Sequence, residues 1–414
     1  MRFFSTLSNE VRQYLIITGN YWAFTLTDGA LRMLVVLHFH ELGYSPLEIA
    51  MLFLFYEFFG VVTNLIGGWL GAVMGLNRIM NIGLALQIVA LCMLLAPPNM
   101  LSIVWVMAAQ AVSGIAKDLN KMSAKSAIKL LVPTGAETTL YKWVAFLTGS
   151  KNTLKGVGFF LGGTLLTLYG FHNAVLAMAC FLVAIWAISL LLLKKDLGKA
   201  KNKPKFRHLF SKSPVINCLS AARLFLFAAR DVWFVVALPV YLATTFGWDY
   251  WYVGGFLALW VMAYGCIQSL APQITGKTLG KTLNDKGLFK WSLALSITPA
   301  LIATALHFDL QTQYALFIGL MLFAVLFAIN SSLHSYLIVS YADKDGVSMD
   351  VGFYYMANAA GRLIGTVLSG WIYQVYGLEA CLWVSAIFIL IAAIISMLLP
   401  HRAASHSSTH LIEQ

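Results

Sequence analysis

The sequence predicts an all-α integral membrane protein with twelve transmembrane helices in two pseudo-symmetric six-helix bundles. Three observations predict it. Of 414 residues, 60% are hydrophobic and 11% charged, with a mean hydropathy of +0.78, whereas soluble chains carry about 25% charged residues. Apolar runs of about 20 residues recur along the chain, the length that crosses a bilayer core at about 1.5 Å per residue. Finally, loop charge alternates in sign and the two halves of the chain repeat.

Taken in order, the first run is α1, at about 14–40. It is too long for a signal peptide and lacks a small-residue cleavage site, so it is read as a retained span. The turn Gly43-Tyr44-Ser45 leads into α2 at about 46–71, and the glycine-rich stretch Gly68–Arg78 (GWLGAVMGLNR) into α3 at about 79–96. Pro97-Pro98-Asn99 ends α3, and α4 follows at about 101–123. Gly170 separates α5 (about 139–168) from α6 (about 172–193). The one long polar interruption, Lys194–Ser213 (KKDLGKAKNKPKFRHLFSKS), splits the chain near its midpoint and reads as a linker. Then come α7 (about 215–245), α8 (about 251–275), α9 (about 291–306), α10 (about 314–338), α11 (about 350–375) and α12 (about 378–399). Pro239, Pro272 and Pro299 fall inside spans and are expected to kink them. Gly67, Gly71 and Gly75, Gly158 and Gly162, and Gly361 and Gly365 stand four apart, a spacing that lets helices approach closely. The tail HRAASHSSTHLIEQ is polar, with the composition of a disordered segment. The predicted division is 1–193, a first six-helix bundle; 194–213, a basic linker; 214–400, a second bundle; and 401–414, a tail.

Placing both termini in the cytoplasm puts the basic residues of the loops inside and leaves the outer loops with only acids, Glu41, Asp249, Asp309 and Glu379, as the positive-inside rule requires. The formal net charge of +11 is therefore a topology signal, and nucleic-acid binding is excluded as its explanation. Asp28 and Gly43 recur as Asp231 and Gly247, at offsets of 203 and 204. Lys155, Gly158 and Gly170 recur as Arg362, Gly365 and Gly377, at an offset of 207. Parallel six-helix halves of this kind are the architecture of the major facilitator superfamily. The Gly68–Arg78 stretch resembles that superfamily's loop motif, except that Ala72 stands where an aspartate is usual.

Eight basic residues lie inside the spans: Arg32, Lys117, Lys142, Lys151, Lys155, Arg223, Arg230 and Arg362. Four acids accompany them: Asp28, Glu57, Asp118 and Asp231. Each charge at mid-membrane costs roughly 2.5–3.5 kcal/mol, so these residues must pair or line a hydrated cavity. Lys117 and Lys142 are near enough to helix ends to snorkel. The candidate anion-binding set is Arg32, Lys151, Lys155, Arg223, Arg230 and Arg362. Asp28, Glu57 and Asp231 are candidates for proton coupling or ion pairing, and Asp28 and Arg32, four apart, are spaced for an intrahelical pair. Even with every acid paired, four cations remain, a surplus suited to an oxyanion, which arginine forks grip in bidentate fashion. Lys117, Lys121, Lys125 and Lys129 stand four apart on α4. They read either as a solvated face or as a basic stripe concentrating anions at the cytoplasmic mouth.

Cys92, Cys180, Cys218, Cys266 and Cys381 each stand alone in an apolar run and are expected to be small packing residues without disulfides or metal. His38, His40 and His334 have no partner cluster and are expected not to bind metal. No cofactor is expected. An enzyme would need a nucleophile–base–orienter set, and none is visible.

Several idiosyncratic segments carry a closer likeness: Gly19–Leu34 (GNYWAFTLTDGALRML), Val35–Ile49 (VVLHFHELGYSPLEI), Ser113–Ser126 (SGIAKDLNKMSAKS), Lys151–Gly163 (KNTLKGVGFFLGG), Lys194–Phe206 (KKDLGKAKNKPKF) and Ala229–Leu242 (ARDVWFVVALPVYL). Through them nearly the whole chain resembles the organoarsenical efflux permeases of the major facilitator superfamily. The resemblance implies a monomer in the bacterial cytoplasmic membrane that exports 1-arseno-3-phosphoglycerate. That arsenate ester is made when glyceraldehyde-3-phosphate dehydrogenase, a functional partner, uses arsenate in place of phosphate. It brings no binding-residue set, so the sites above rest on the residues alone. The alternative is an organophosphate or other organic-anion permease unrelated to arsenic.

Overall fold

The structure is a computed structural model that describes residues 8–44, 52–193, 197–200, 213–248, 250–279 and 285–399, with backbone alone at 40, 250, 276–279, 285 and 286. Most of the expected linker and the whole 401–414 tail lie outside the described residues, as do Asp249 and the side chain of His40.

Among the described residues the chain forms twelve spanning helical segments: α1 Asn9–Glu41, α2 Leu54–Met74, α3 Leu76–Leu94, α4 Ile103–Leu131, α5 and α6 within Glu137–Leu192, α7 within Pro214–Phe246, α8 Tyr250–Leu279, α9 Asp285–His307, α10 Thr312–Tyr341, and α11 and α12 within Val347–Ser396. Eight helical stretches are long and apolar enough to cross a membrane. Two of these hold two spans each, and α1 and α4, which carry much of the intramembrane polarity, make up the twelve.

The glycines separated by 207 residues explain the two merged pairs. Where a loop is expected, α5 passes into α6 through Gly170 alone (φ 72, ψ 171), and α11 into α12 through Gly377 alone (φ 77, ψ −174). Left-handed φ is open to glycine without a Cβ clash, so one residue reverses each helix, leaving α5 at 137–169, α6 at 171–192, α11 at 347–376 and α12 at 378–396. Gly75 (φ 96) does the same between α2 and α3.

Of the three expected proline kinks, Pro239 accompanies a break. The span α7 divides into Pro214–Phe234 and Ala237–Phe246, because Pro239 has no N–H for the Val235 carbonyl. Ser369 Oγ accepts the Ala237 N–H at 3.1 Å and caps the second piece. Pro272 and Pro299 lie inside α8 and α9, which run on as single helices.

Glycine also sets which helices touch. A Cβ on Gly158 would meet Leu26 O and Ala30 N of α1, and one on Gly365 would meet Ala228 O and Asp231 Cβ of α7. The repeat is thus a packing repeat, α1 on α5 and α7 on α11. Between halves, Gly149 of α5 crosses Gly265 of α8, and Gly352 of α11 crosses Gly68 of α2.

Three apolar cores follow. One is drawn wholly from the first half, including Phe24, Leu34, Leu91 and Met178. A second is drawn wholly from the second half, including Trp233, Phe323 and Ile389. The third mixes both halves, joining Tyr14, Leu131, Tyr141 and Leu147 to Leu337, Tyr354 and Tyr355. All of its members lie toward the end of the bundle where the described chain begins, at Ser8, and ends, at Leu399. The halves are therefore sealed together at the terminal end and keep separate cores at the far end.

The cysteines do not all pack inside as expected. Cys381 is buried, but Cys92, Cys180 and Cys266 are exposed, and all five are free. A thiol is small and apolar enough to be carried at exposed positions of a span as well as in a core.

Candidate functional site

The charged spans converge between the halves. Arg32 of α1 reaches Glu57 of α2 at 3.7 Å, and the same carboxylate holds Arg362 of α11 at 2.9 Å. Arg362 Nε donates to Asp231 Oδ2 of α7 at 3.2 Å, and Asp231 Oδ1 accepts from Arg230 Nε at 2.6 Å. Five charges thus form one chain, Arg32–Glu57–Arg362–Asp231–Arg230, that crosses from one half to the other. Three of its side chains face open space: Arg32 is 29% exposed, Arg362 27% and Glu57 24%. These three lie away from the mixed core of the sealed end, on the side where the halves keep separate cores.

The expected Asp28–Arg32 intrahelical pair is not formed. Arg32 turns to Glu57 and lies over the rings of Phe53 and Tyr56, while Asp28 accepts the Tyr56 hydroxyl at 2.7 Å. A neighbouring helix offers Arg32 a carboxylate at no cost in helix geometry, and the phenol satisfies the acid left behind.

Lys117 does not snorkel. It sits 3.8 Å from the centroid of the Tyr56 ring and 3.6 Å from Asp118, and is 13% exposed. Lys142 is exposed, as a snorkelling lysine would be. Nor is the α4 stripe a solvated mouth in this state. Lys121 is bound to Asp118. Lys125, 3% exposed, donates to Tyr355 OH of α11 at 2.5 Å, and Lys129 donates to the Ser340 carbonyl. The terminal-end seal lays the second half over this face of α4.

Four deep cations, Lys125, Lys151, Lys155 and Arg223, have no carboxylate within 4 Å among the described residues. Neutral groups hold three of them. Arg223, 2% exposed, donates to Asn358 Oδ1 at 2.9 Å and to Ser331 Oγ at 3.1 Å, with its guanidinium 4.0 Å from the centroid of Phe227. Lys151 donates to Asn152 Oδ1 at 3.2 Å. Asn152 in turn donates to Gln268 Oε1 at 2.6 Å, and Gln268 to Ser331 Oγ at 3.1 Å, so a polar line runs from α5 through α8 and α10 to Arg223. Lys155 has only the Phe159 ring, at 6.0 Å, with Asp28 in electrostatic range.

Tyr56, Tyr355, Asn152, Gln268, Ser331 and Asn358 are the members that charge alone did not single out. A polar amide within an apolar run, such as Gln268 or Asn358, was the available signal. For a hydroxyl there was none, since Ser and Tyr occur widely in spans.

Among the described residues no cluster of three or more His, Cys, Asp or Glu side chains could hold a metal ion. His38 stacks on Phe171, and His334 is buried beside Arg223.

A family model described as Major Facilitator Superfamily matches residues 15–284 and 269–413. No curated protein is similar enough to count as a relative. Among solved structures, the human organic anion transporter MFSD10 (TETRAN) superposes with a TM-score of 0.75 at 15% identity, over 94% of this chain and 100% of that one. The proton:xylose symporter XylE bound to 6-bromo-6-deoxy-D-glucose gives 0.73 at 12%, over 95% and 97%. A bacterial homologue of the iron transporter ferroportin in an outward-facing state gives 0.73 at 15%, over 93% and 98%. At these identities the likeness is one of fold.

Proposed function

The chain belongs to the major facilitator superfamily and is a multi-pass secondary-active transporter; from that premise we propose that its cargo is a small organic oxyanion moved outward. The observation that carries this reading is the charge balance of the path. Among the described residues, Glu57, Asp118 and Asp231 are each already shared between two cations, and Lys125, Lys151, Lys155 and Arg223 are left over. Uncompensated cations held between the bundles are costly unless an anion visits them, and a positively charged path favours anionic cargo.

The repeat supports a cargo with two charged ends. Lys155 and Arg362 are repeat equivalents on α5 and α11, so the two halves offer one cation each from corresponding places. A molecule with an oxyanion at either end suits such a pair. Together with the segment-by-segment likeness to organoarsenical efflux permeases, this favours 1-arseno-3-phosphoglycerate, and a role in arsenate resistance coupled to glyceraldehyde-3-phosphate dehydrogenase. Both termini are proposed to be cytoplasmic, in a bacterial inner membrane, on the charge asymmetry of the loops.

The test is expression in an arsenate-sensitive host with and without the dehydrogenase. Resistance only when the dehydrogenase is supplied is the expected result. Resistance without it would mean direct arsenate export, and no resistance in either case would favour a plain organophosphate permease.

A further inference from the structure

Glu57 breaks the repeat. Asp28 and Asp231 correspond on α1 and α7, and Lys155 and Arg362 on α5 and α11. Glu57 on α2 has no such counterpart, because α8, the equivalent helix, carries no Asp or Glu along Tyr250–Leu279. Yet it is Glu57 that holds the two most open guanidinium groups of the charge chain, Arg362 at 2.9 Å and Arg32 at 3.7 Å.

The compensation it supplies is one-sided. At the open side, the guanidinium groups of Arg32 and Arg362 already have a carboxylate. At the sealed side, Arg223 and Lys125, 2% and 3% exposed, have none. One carboxylate oxygen, Oε1, meets both guanidinium groups, as an oxygen of a phosphate, arsenate or carboxylate cargo would. Fixed to the protein beside its target, it acts at a high effective concentration. About a quarter of the Glu57 side chain is exposed, so a free anion can reach the same guanidinium groups.

We propose that Glu57 is a tethered competitor for the cargo. In the far-side-open state it takes Arg362 and Arg32 in the cargo's place and so promotes release on the side away from the termini. The proposal rests on the oxyanion reading and adds to it a residue that sets the affinity of one face of the path. Glu57 acts by charge and reach, not by packing: removing the charge leaves Arg32 without a carboxylate and Arg362 with Asp231 alone, which raises affinity for an anion and slows its departure.

The full-length protein in detergent, with 3-phosphoglycerate and inorganic phosphate as probes, tests this. Glu57→Gln is expected to bind 3-phosphoglycerate about tenfold more tightly than the wild type. In reconstituted vesicles it should show KM and maximal rate falling together. Glu57→Asp, whose shorter side chain keeps the charge but reaches Arg362 less well, should lie between the two, and it serves as the readout if the glutamine variant does not fold. Binding by Glu57→Gln equal to or weaker than a wild type that does bind would overturn the proposal, leaving Glu57 as a packing ion pair or an ordinary part of the site. Failure of both probes to bind the wild type and both variants would overturn the oxyanion reading itself, and this inference with it.

Discussion

Arg362 carries two carboxylates at once, Glu57 from the first half and Asp231 from its own. Arg362→Ala would leave both acids short of a cation, one of them fully buried. A transport loss of at least about tenfold is expected, with a stability loss of about 2 kcal/mol; the arginine's partial exposure keeps this below the 3–5 kcal/mol of a fully buried pair. Reconstituted transport and thermal unfolding measure the two effects, and full transport by both Arg362→Ala and Arg32→Ala would remove these residues from the anion site. Asp28 differs from the other three intramembrane acids. Its partner is the Tyr56 hydroxyl, and no cation lies within 4 Å of it among the described residues. Of the candidates for proton coupling it is therefore the one not already clamped between two cations. If transport is proton-coupled through it, Asp28→Asn should make transport indifferent to a protonophore that inhibits the wild type. Persistence of that sensitivity in the variant would place coupling elsewhere.

At the scale of the helix, glycines with the same sequence spacing do different work. Gly158 and Gly365 sit where a side chain would strike the backbone of α1 and α7. Gly365→Val should push Asp231 from its place against α11, at a cost of about 1–3 kcal/mol, with a parallel drop in transport. Gly370, seven residues before the Gly377 reversal, has nothing within 4 Å of an added Cβ, so Gly370→Ala should be neutral or stabilising by up to about 1 kcal/mol. Gly377→Ala must place a Cβ at φ 77, costing about 1–2 kcal/mol. Thermal unfolding of the three variants should rank them in that way; equal effects would mean the crossings are looser than described. The period of seven, Gly163 to Gly170 and Gly370 to Gly377, was legible in the sequence. Which member reverses the chain and which merely lies on the surface depends on φ and on what packs opposite.

For the whole molecule, the mixed apolar core at the terminal end and the separate cores beyond it describe a carrier closed on one side. Gly149 on Gly265 and Gly68 on Gly352 are close crossings about which the halves can rock. In a background lacking the five native cysteines, Arg32→Cys should react with a membrane-impermeant thiol reagent applied opposite the termini, and Lys125→Cys should be protected. Equal labelling would contradict a seal over α4. The sequence by itself determined the helix count, the two-fold repeat, the excess of intramembrane cations over acids, and which charged positions lie inside the spans. These depend on composition and spacing along one chain. Only the tertiary structure decided which acid meets which cation: that Arg32 leaves Asp28 for Glu57, that Arg362 joins the halves, and that the α4 lysines are covered. An ion pair between spans depends on which faces two helices turn to each other and at what depth. That geometry comes from packing between distant segments, and in this protein small residues such as Gly158 and Gly365 permit it.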